Sequence, residues 1–190
     1  MAATQPIAIG QRVYIQHLRD QDREAFVELR RASREHLEKW EPIPPLGLDL
    51  YSAEAFDREL ATTNTDRDQR FLIFERETDA LVGRIALTNI ERGPFQNGRF
   101  GYWVGGGFEG KGYMTEALSL AVEHCFRAIE DGGLGLHRVC ANIMPSNDRS
   151  RTLLERVGFV KEGFSERYLQ IQGRWEDHER WAKTVGMQPG

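Results

Sequence analysis

The sequence predicts a mixed α/β fold in which one parallel crossover interrupts an otherwise antiparallel sheet. Three observations point there. Strand-like runs at 70–75, 81–90 and 99–104 follow one another, separated by Thr78-Asp79 and then by Arg92-Gly93-Pro94 through Asn97-Gly98. Short β-rich runs with such turn residues between them form an antiparallel meander. Next, apolar residues at Met114, Ala117, Leu118, Ala121, Val122, Cys125, Phe126 and Ile129 recur at steps of 3, 1, 3, 1, the buried face of a long helix. Last, residues 137–143 (HRVCANI) alternate, with Val139, Ala141 and Ile143 on one side. Strand, helix and strand in that order make the parallel unit.

The elements follow in chain order. Residues 12–17 read as a first strand, and a charged helix starts near Asp20 with Ala25, Phe26, Leu29, Ser33, His36 and Leu37 on one face. Pro42, Pro44 and Pro45 stop it, because proline has no N–H and clashes with the preceding turn. Ser52 is a good N-cap for a second helix through Phe56 and Leu60 to about Thr63. The meander and the central helix follow, the latter closed by Asp131-Gly132-Gly133. A short helix starts near Ser146 and ends before Gly158-Phe159; two strands, 159–170 and 174–183, join at Ile171-Gln172-Gly173. The expectation is one domain over 1–185, with a twisted mixed sheet of about seven strands, about four helices and a frayed tail at 186–190.

Composition narrows the function. A chain of 190 residues, 40% hydrophobic and 28% charged, suits one soluble domain with a sizeable core. A net charge of −4 argues against DNA binding, which wants a basic face. No run approaches a membrane span, and MAATQPIAIG lacks a signal-peptide pattern, so a cytoplasmic location is expected. Cys125 and Cys140 read as reduced core residues, and the five histidines show no metal spacing.

The chemistry gathers at 104–120, VGGGFEGKGYMTEALSL. Strand, glycine loop and helix N-terminus together make an anion site, because the first helical N–H groups lack partners and the dipole is positive there. Lys111 adds charge. The run from Gly105 to Gly112 nearly spells the triphosphatase loop G-x-x-x-x-G-K-[ST], but Gly112 stands where Ser or Thr would hold magnesium. Two readings remain, a pyrophosphate bound without metal and a glycine-rich hairpin with no ligand.

Here the chain resembles the coenzyme A loop of the GCN5-related N-acetyltransferases (GNAT), Q/R-x-x-G-x-G/A, with Glu109, Gly110, Lys111, Gly112, Tyr113 and Met114 in those places. Glu109 departs from the Gln or Arg, and Met114 from the small last residue. The run from Asn142 through Asn147 and Ser150 to Leu154, Gly158-Phe159 and Glu162-Gly163 is similar to the family's N-x-x-x-x-N-x-x-S…L-x-x-x-G-F-x-x-E-G. Lys39-Trp40-Glu41-Pro42, Arg92-Gly93, Gly112-Tyr113-Met114 and Gly173-x-Trp175-x-Asp177-His178 resemble the RimJ/RimL branch, ribosomal-protein-alanine N-terminal acetyltransferases, and its RimJ type in particular.

The resemblance implies acetyl-CoA as cosubstrate, no metal, and direct attack by an amine in a ternary complex. It places the pantetheine arm in a splay between two strands, with backbone groups of Trp103, Val104 and Gly105 on one side and Asn142 and Asn147 on the other. Ser150 and Arg151 join the cofactor set; Asn147 serves equally as a helix cap, and Arg151 as a solvated side chain. Many members protonate the thiolate with a tyrosine where this chain has Leu154. Ser146 is the first candidate to replace it and Ser150 the second, although capping explains Ser146 as well. Candidate bases are Glu41, Glu109, Glu162 and Glu166. Trp40, Glu41 and Trp175 are expected to line the acceptor slot, against the alternative that Trp40 packs in the core and Glu41 is solvated. The acceptor implied is the N-terminus of a ribosomal or other protein, for a monomer or homodimer. A small-molecule amine and a catalytically silent CoA-binding module are the alternatives.

Overall fold

The computed structural model describes residues 5–44 and 47–186. Within them lies one eight-stranded sheet: β1 (Ala8–Ile9), β2 (Val13–His17), β3 (Gln69–Glu75), β4 (Leu81–Glu91), β5 (Asn97–Val104), β6 (Arg138–Ile143), β7 (Val160–Ile171) and β8 (Arg174–Thr184). Their spatial order is β1-β2-β3-β4-β5-β6-β8-β7. Only β5 and β6 run parallel; every other neighbouring pair is antiparallel. The helices are α1 (Arg23–Ala32), α2 (Arg34–Leu37), α3 (Ala53–Thr62), α4 (Tyr113–Phe126) and α5 (Asp148–Val157).

Strand alternation divides the core into two layers. On one face, Phe100 of β5, Val139 and Ala141 of β6 and Trp181 of β8 pack with Ala117, Leu118, Ala121 and Val122 of α4 and Leu154 of α5. On the other, Leu72 of β3 and Trp103 of β5 pack with Phe26 and Val27 of α1 and Phe56 of α3. The meander, the crossover through α4 and the last hairpin at Gln172-Gly173 match the expectation.

Four details differ. A two-residue strand, β1, precedes the expected first strand and raises the count to eight. The first helix breaks at Ser33, whose Oγ donates to Leu29 O (2.7 Å) and accepts from Gly106 N (2.8 Å). Such back-bonding by serine diverts a helix, and here it also ties the helix to the glycine loop. On α1, Ala25 faces outward while Val27 and Arg30 are buried. Ile129 stands 67% exposed, because α4 ends at Phe126 and the chain folds back on it. Leu134 N and Leu136 N donate to His124 O and Cys125 O, so the returning loop caps the helix. The expected tail lies, beyond Gly186, outside the described residues.

Candidate active site

A gap opens where the parallel pair parts. β5 and β6 are bonded only over 97–100 against 138–141; β5 then runs on to Val104 beside β4 alone, and β6 to Ile143 beside β8 alone. The inner edge of β5 from Gly101 to Val104 therefore has no strand partner on that side. A free edge of backbone N–H and C=O groups is a ready template for an extended amide-bearing ligand. Tyr102 points from this edge to the α5 side and Trp103 to the α1 side.

The glycine loop continues from it. Gly107, Gly110 and Gly112 take φ of 86°, 74° and 79°, the left-handed region that glycine enters without strain. Gly112 is the N-cap of α4 and offers no side-chain cap, so the first N–H groups of α4 stay open. The Arg12 guanidinium lies beside Gly112, 2.9 Å from where a Cβ would stand, and donates to Lys111 O at 3.1 Å. Its charge is shared with Glu116, 3.0 Å away. Lys111 is exposed beside the Phe108 and Tyr113 rings.

Glu109 turns back into the loop. Its Oε2 accepts from Gly107 N at 2.6 Å, and its Oε1 lies 3.5 Å from His36 Nδ1. Its own backbone N–H first, and then that of Gly107, hold its carboxyl below the usual range. The Tyr113 hydroxyl donates to Glu75, and Met114 packs against the core.

At α5, Asn147 is the cap: its Oδ1 accepts from Ser150 N at 3.1 Å. The capping role weighed for Ser146 thus falls to its neighbour, and Ser146 is exposed in the preceding turn. Ser150 is half-buried in the first turn, next to the Tyr102 hydroxyl. That hydroxyl is sealed from solvent without closing a hydrogen bond, and burial pushes its pKa up. Leu154 is 0% exposed, so its position faces the core. Arg151 is tied to Asp148, Pro145 O and Glu179, which commits its donors to the protein.

On the α1 face, Arg30 meets Glu41 at 2.5 Å, and the other Glu41 oxygen accepts from the Tyr51 hydroxyl at 2.8 Å. Burial, and then the Glu41 hydrogen bond, push Tyr51 up. Trp40 is half-buried with Lys39 Nζ 5.2 Å from its ring centre. The hairpin tip docks on this turn: Pro42 bridges Ile171, and Gln172 Nε2 donates to Glu38 O at 2.6 Å. Two motifs far apart in sequence are thereby brought together, while Trp175 remains 62% exposed. Asn142 Nδ2 donates to the Tyr168 hydroxyl at 3.0 Å, and the Tyr168 ring lies 5.6 Å from that of His178. Glu162 pairs with Arg138, and Glu166 is exposed.

Sequence reasoning had no role for Arg12, Arg30, Tyr51, Tyr102 or Tyr168, and saw His178 only as part of a motif. Arg30 had a signal: it sits one turn after Phe26, an arginine on an apolar face.

A free strand edge running into an uncapped, glycine-led helix N-terminus is the architecture of an acyl-CoA-dependent N-acyltransferase. The acetyltransferase (GNAT) domain profile matches residues 12–160, and the chain belongs to that family. It is similar to a probable N-acetyltransferase of Bacillus subtilis, YjcK, at 33% identity over 90% of this chain and 92% of the relative. The [ribosomal protein uS5]-alanine N-acetyltransferase of Escherichia coli is 32% identical over 92% of this chain and 88% of its own. Among solved structures, Mycobacterium smegmatis RimJ in complex with CoA-disulfide superposes with a TM-score of 0.82 at 31% identity, covering 94% of this chain and 84% of that one.

Proposed function

We propose that this protein transfers the acetyl group of acetyl-CoA to the N-terminal α-amine of a protein, with a ribosomal protein beginning with alanine as the acceptor class. One observation carries the reading: the unpaired edge of β5 leads into the open N-terminus of α4, in a chain 32% identical to a ribosomal-protein-alanine N-acetyltransferase. The residues present fit the cosubstrate. The first N–H groups of α4, with Arg12 and Lys111 beside them, would hold the diphosphate; the β5 edge from Gly101 to Val104 would hold the pantetheine amides. Bound there, acetyl-CoA supplies a thioester carbonyl open to an amine.

The chain's own groups then have three tasks. They must orient the acceptor, take one proton from its nitrogen, and return one to the departing sulfur. Trp103, Trp40 and the docked hairpin tip wall the acceptor face. Ser150, half-buried beside Tyr102, is the better placed of the two serines to protonate sulfur; Ser146 lies outside in solvent. An α-amine suits such a site. Its unperturbed pKa of ~7.7–8.0 leaves roughly a tenth neutral at pH 7, against about one part in two thousand for lysine.

The test is acetyl transfer to the ribosomal proteins of a bacterial extract, followed by mass spectrometry of their N-termini, beside two synthetic peptides. A peptide with a free N-terminal alanine should be acetylated, and the same peptide N-blocked but carrying lysine should not. Efficient modification of the blocked lysine peptide would overturn the reading.

A further inference from the structure

Resting on the reading above, we propose that His178 is the general base of the transfer. His178 is 3% exposed, and its Nδ1 lies 3.0 Å from Glu176 O. A carbonyl oxygen only accepts, so Nδ1 carries the hydrogen and Nε2 keeps its lone pair. Nε2 has no protein partner among the described residues, and it is not one of the sealed polar atoms. The ring is thus locked by the strand, with its basic nitrogen open.

Register places the His178 side chain at the gap end of β8, on the face opposite α4. The last β5–β6 rung joins Phe100 to Ala141, which pairs with Trp181 of β8. Counting three residues onward along each strand reaches Trp103 on β5 and His178 on β8. Both steps are odd, so both side chains leave the α4 face, where Phe100 and Trp181 lie, for the opposite one. His178 therefore lies one residue past the last β6–β8 rung, on the same sheet face as Trp103, the face given to the acceptor. Tyr168 and Asn142 meet beside it: Asn142 donates to the Tyr168 hydroxyl, and the Tyr168 ring packs on His178. Tyr168 reaches over because β7 slips register against β8 between Ser165 and Leu169. Arg167 takes φ 47° there, and its N–H is held by Asp177 Oδ1 at 2.8 Å.

The step balances with no further reactant. The acceptor nitrogen bonds to the acetyl carbon while Nε2 takes its proton, and the carbon–sulfur bond breaks. Sulfur receives a proton from Ser150 or water, and solvent restores Ser150 and discharges the imidazolium. One proton has moved, in net, from nitrogen to sulfur.

The full-length His178→Gln variant tests this. kcat should fall on the order of a hundredfold, while acetyl-CoA still stabilises the variant against heat as it does the wild type. Unchanged kcat overturns the proposal. If the variant does not fold, the wild-type pH profile decides, measured with acceptors whose amines differ in pKa. An inflection in kcat that stays fixed belongs to the imidazole; one that tracks the amine overturns the proposal. Around that ring, Glu176 and Arg180 share its face of β8, Tyr168 and Ser165 approach from β7, and Asn142 from β6. The assay uses whichever amine the wild-type protein accepts. Activity on small amines alone would sink the N-terminal reading but still test His178, and activity on no amine would overturn both.

Discussion

At the scale of single residues, Arg30 and Glu41 show burial deciding what a charge can do. Arg30 is 4% exposed, wedged 4.8 Å from the Tyr51 ring centre and 5.0 Å from that of Trp103. A guanidinium so placed needs a partner, and Glu41 supplies it at 2.5 Å while also accepting from Tyr51. Both carboxylate oxygens are engaged, so the Glu41 charge is already partnered within the protein. Its first effect is structural. Glu41→Gln should lower unfolding stability by about 2–3 kcal/mol in urea titrations, because it leaves a buried cation without its counter-charge. Removing both charges with Arg30→Met and Glu41→Leu should recover much of that loss. A single variant as stable as wild type would mean that water reaches the pair.

At the scale of elements, the N-terminus of α4 carries the cosubstrate argument. Gly112 sits at φ 79° with the Arg12 guanidinium close by. An aspartate there pays roughly 1 kcal/mol for the left-handed backbone. It recovers a similar amount by meeting the positive helix end and Arg12. Gly112→Asp should therefore fold, yet place a carboxylate where the diphosphate belongs. Acetyl-CoA, without magnesium, should raise the melting temperature of the wild type and not of the variant. A full shift in the variant would move the diphosphate elsewhere. This element was legible in sequence because its signals are local: glycine spacing, then an apolar face at helical steps. The meander and last hairpin were legible for the same reason. The break at Ser33 was not, since the hydroxyl that breaks the helix is held by Gly106, far along the chain. Ile129 kept the helical step, but the returning backbone had already capped α4 three residues earlier. His178 and Tyr168 were invisible as a pair because a register slip brings them together. The cap of α5 was legible only as a choice between neighbours: Asn147, not Ser146, closes the helix.

At the scale of the whole molecule, two histidines with lowered pKa values, one half-buried and one buried, set how the fold should respond to acid. His17 at the end of β2 and His124 on α4 flank Phe71 of β3, with ring centres 5.3 Å and 5.7 Å from it. Nδ1 of each is sealed without a partner. Burial lowers both pKa values, His124 to about 4 from 6.5. The native protein thus holds both rings neutral, whereas the unfolded chain protonates them near 6.5. Their neutrality contributes full stability above that value. Each ring then loses about 1.4 kcal/mol per pH unit as pH falls toward its folded pKa. Below the ordinary carboxylate range a second loss begins, because Glu109, Glu116 and Glu179 titrate below their usual values in the fold. The first window belongs to the histidines and is separable by mutation. Urea unfolding of His124→Leu at about pH 7.5 and about pH 5 should show a smaller difference between the two than wild type does, whatever the variant's absolute stability. An undiminished acid loss in that variant would mean that His124 is already protonated in the native protein, and that the sheet and α4 tolerate a charge between them.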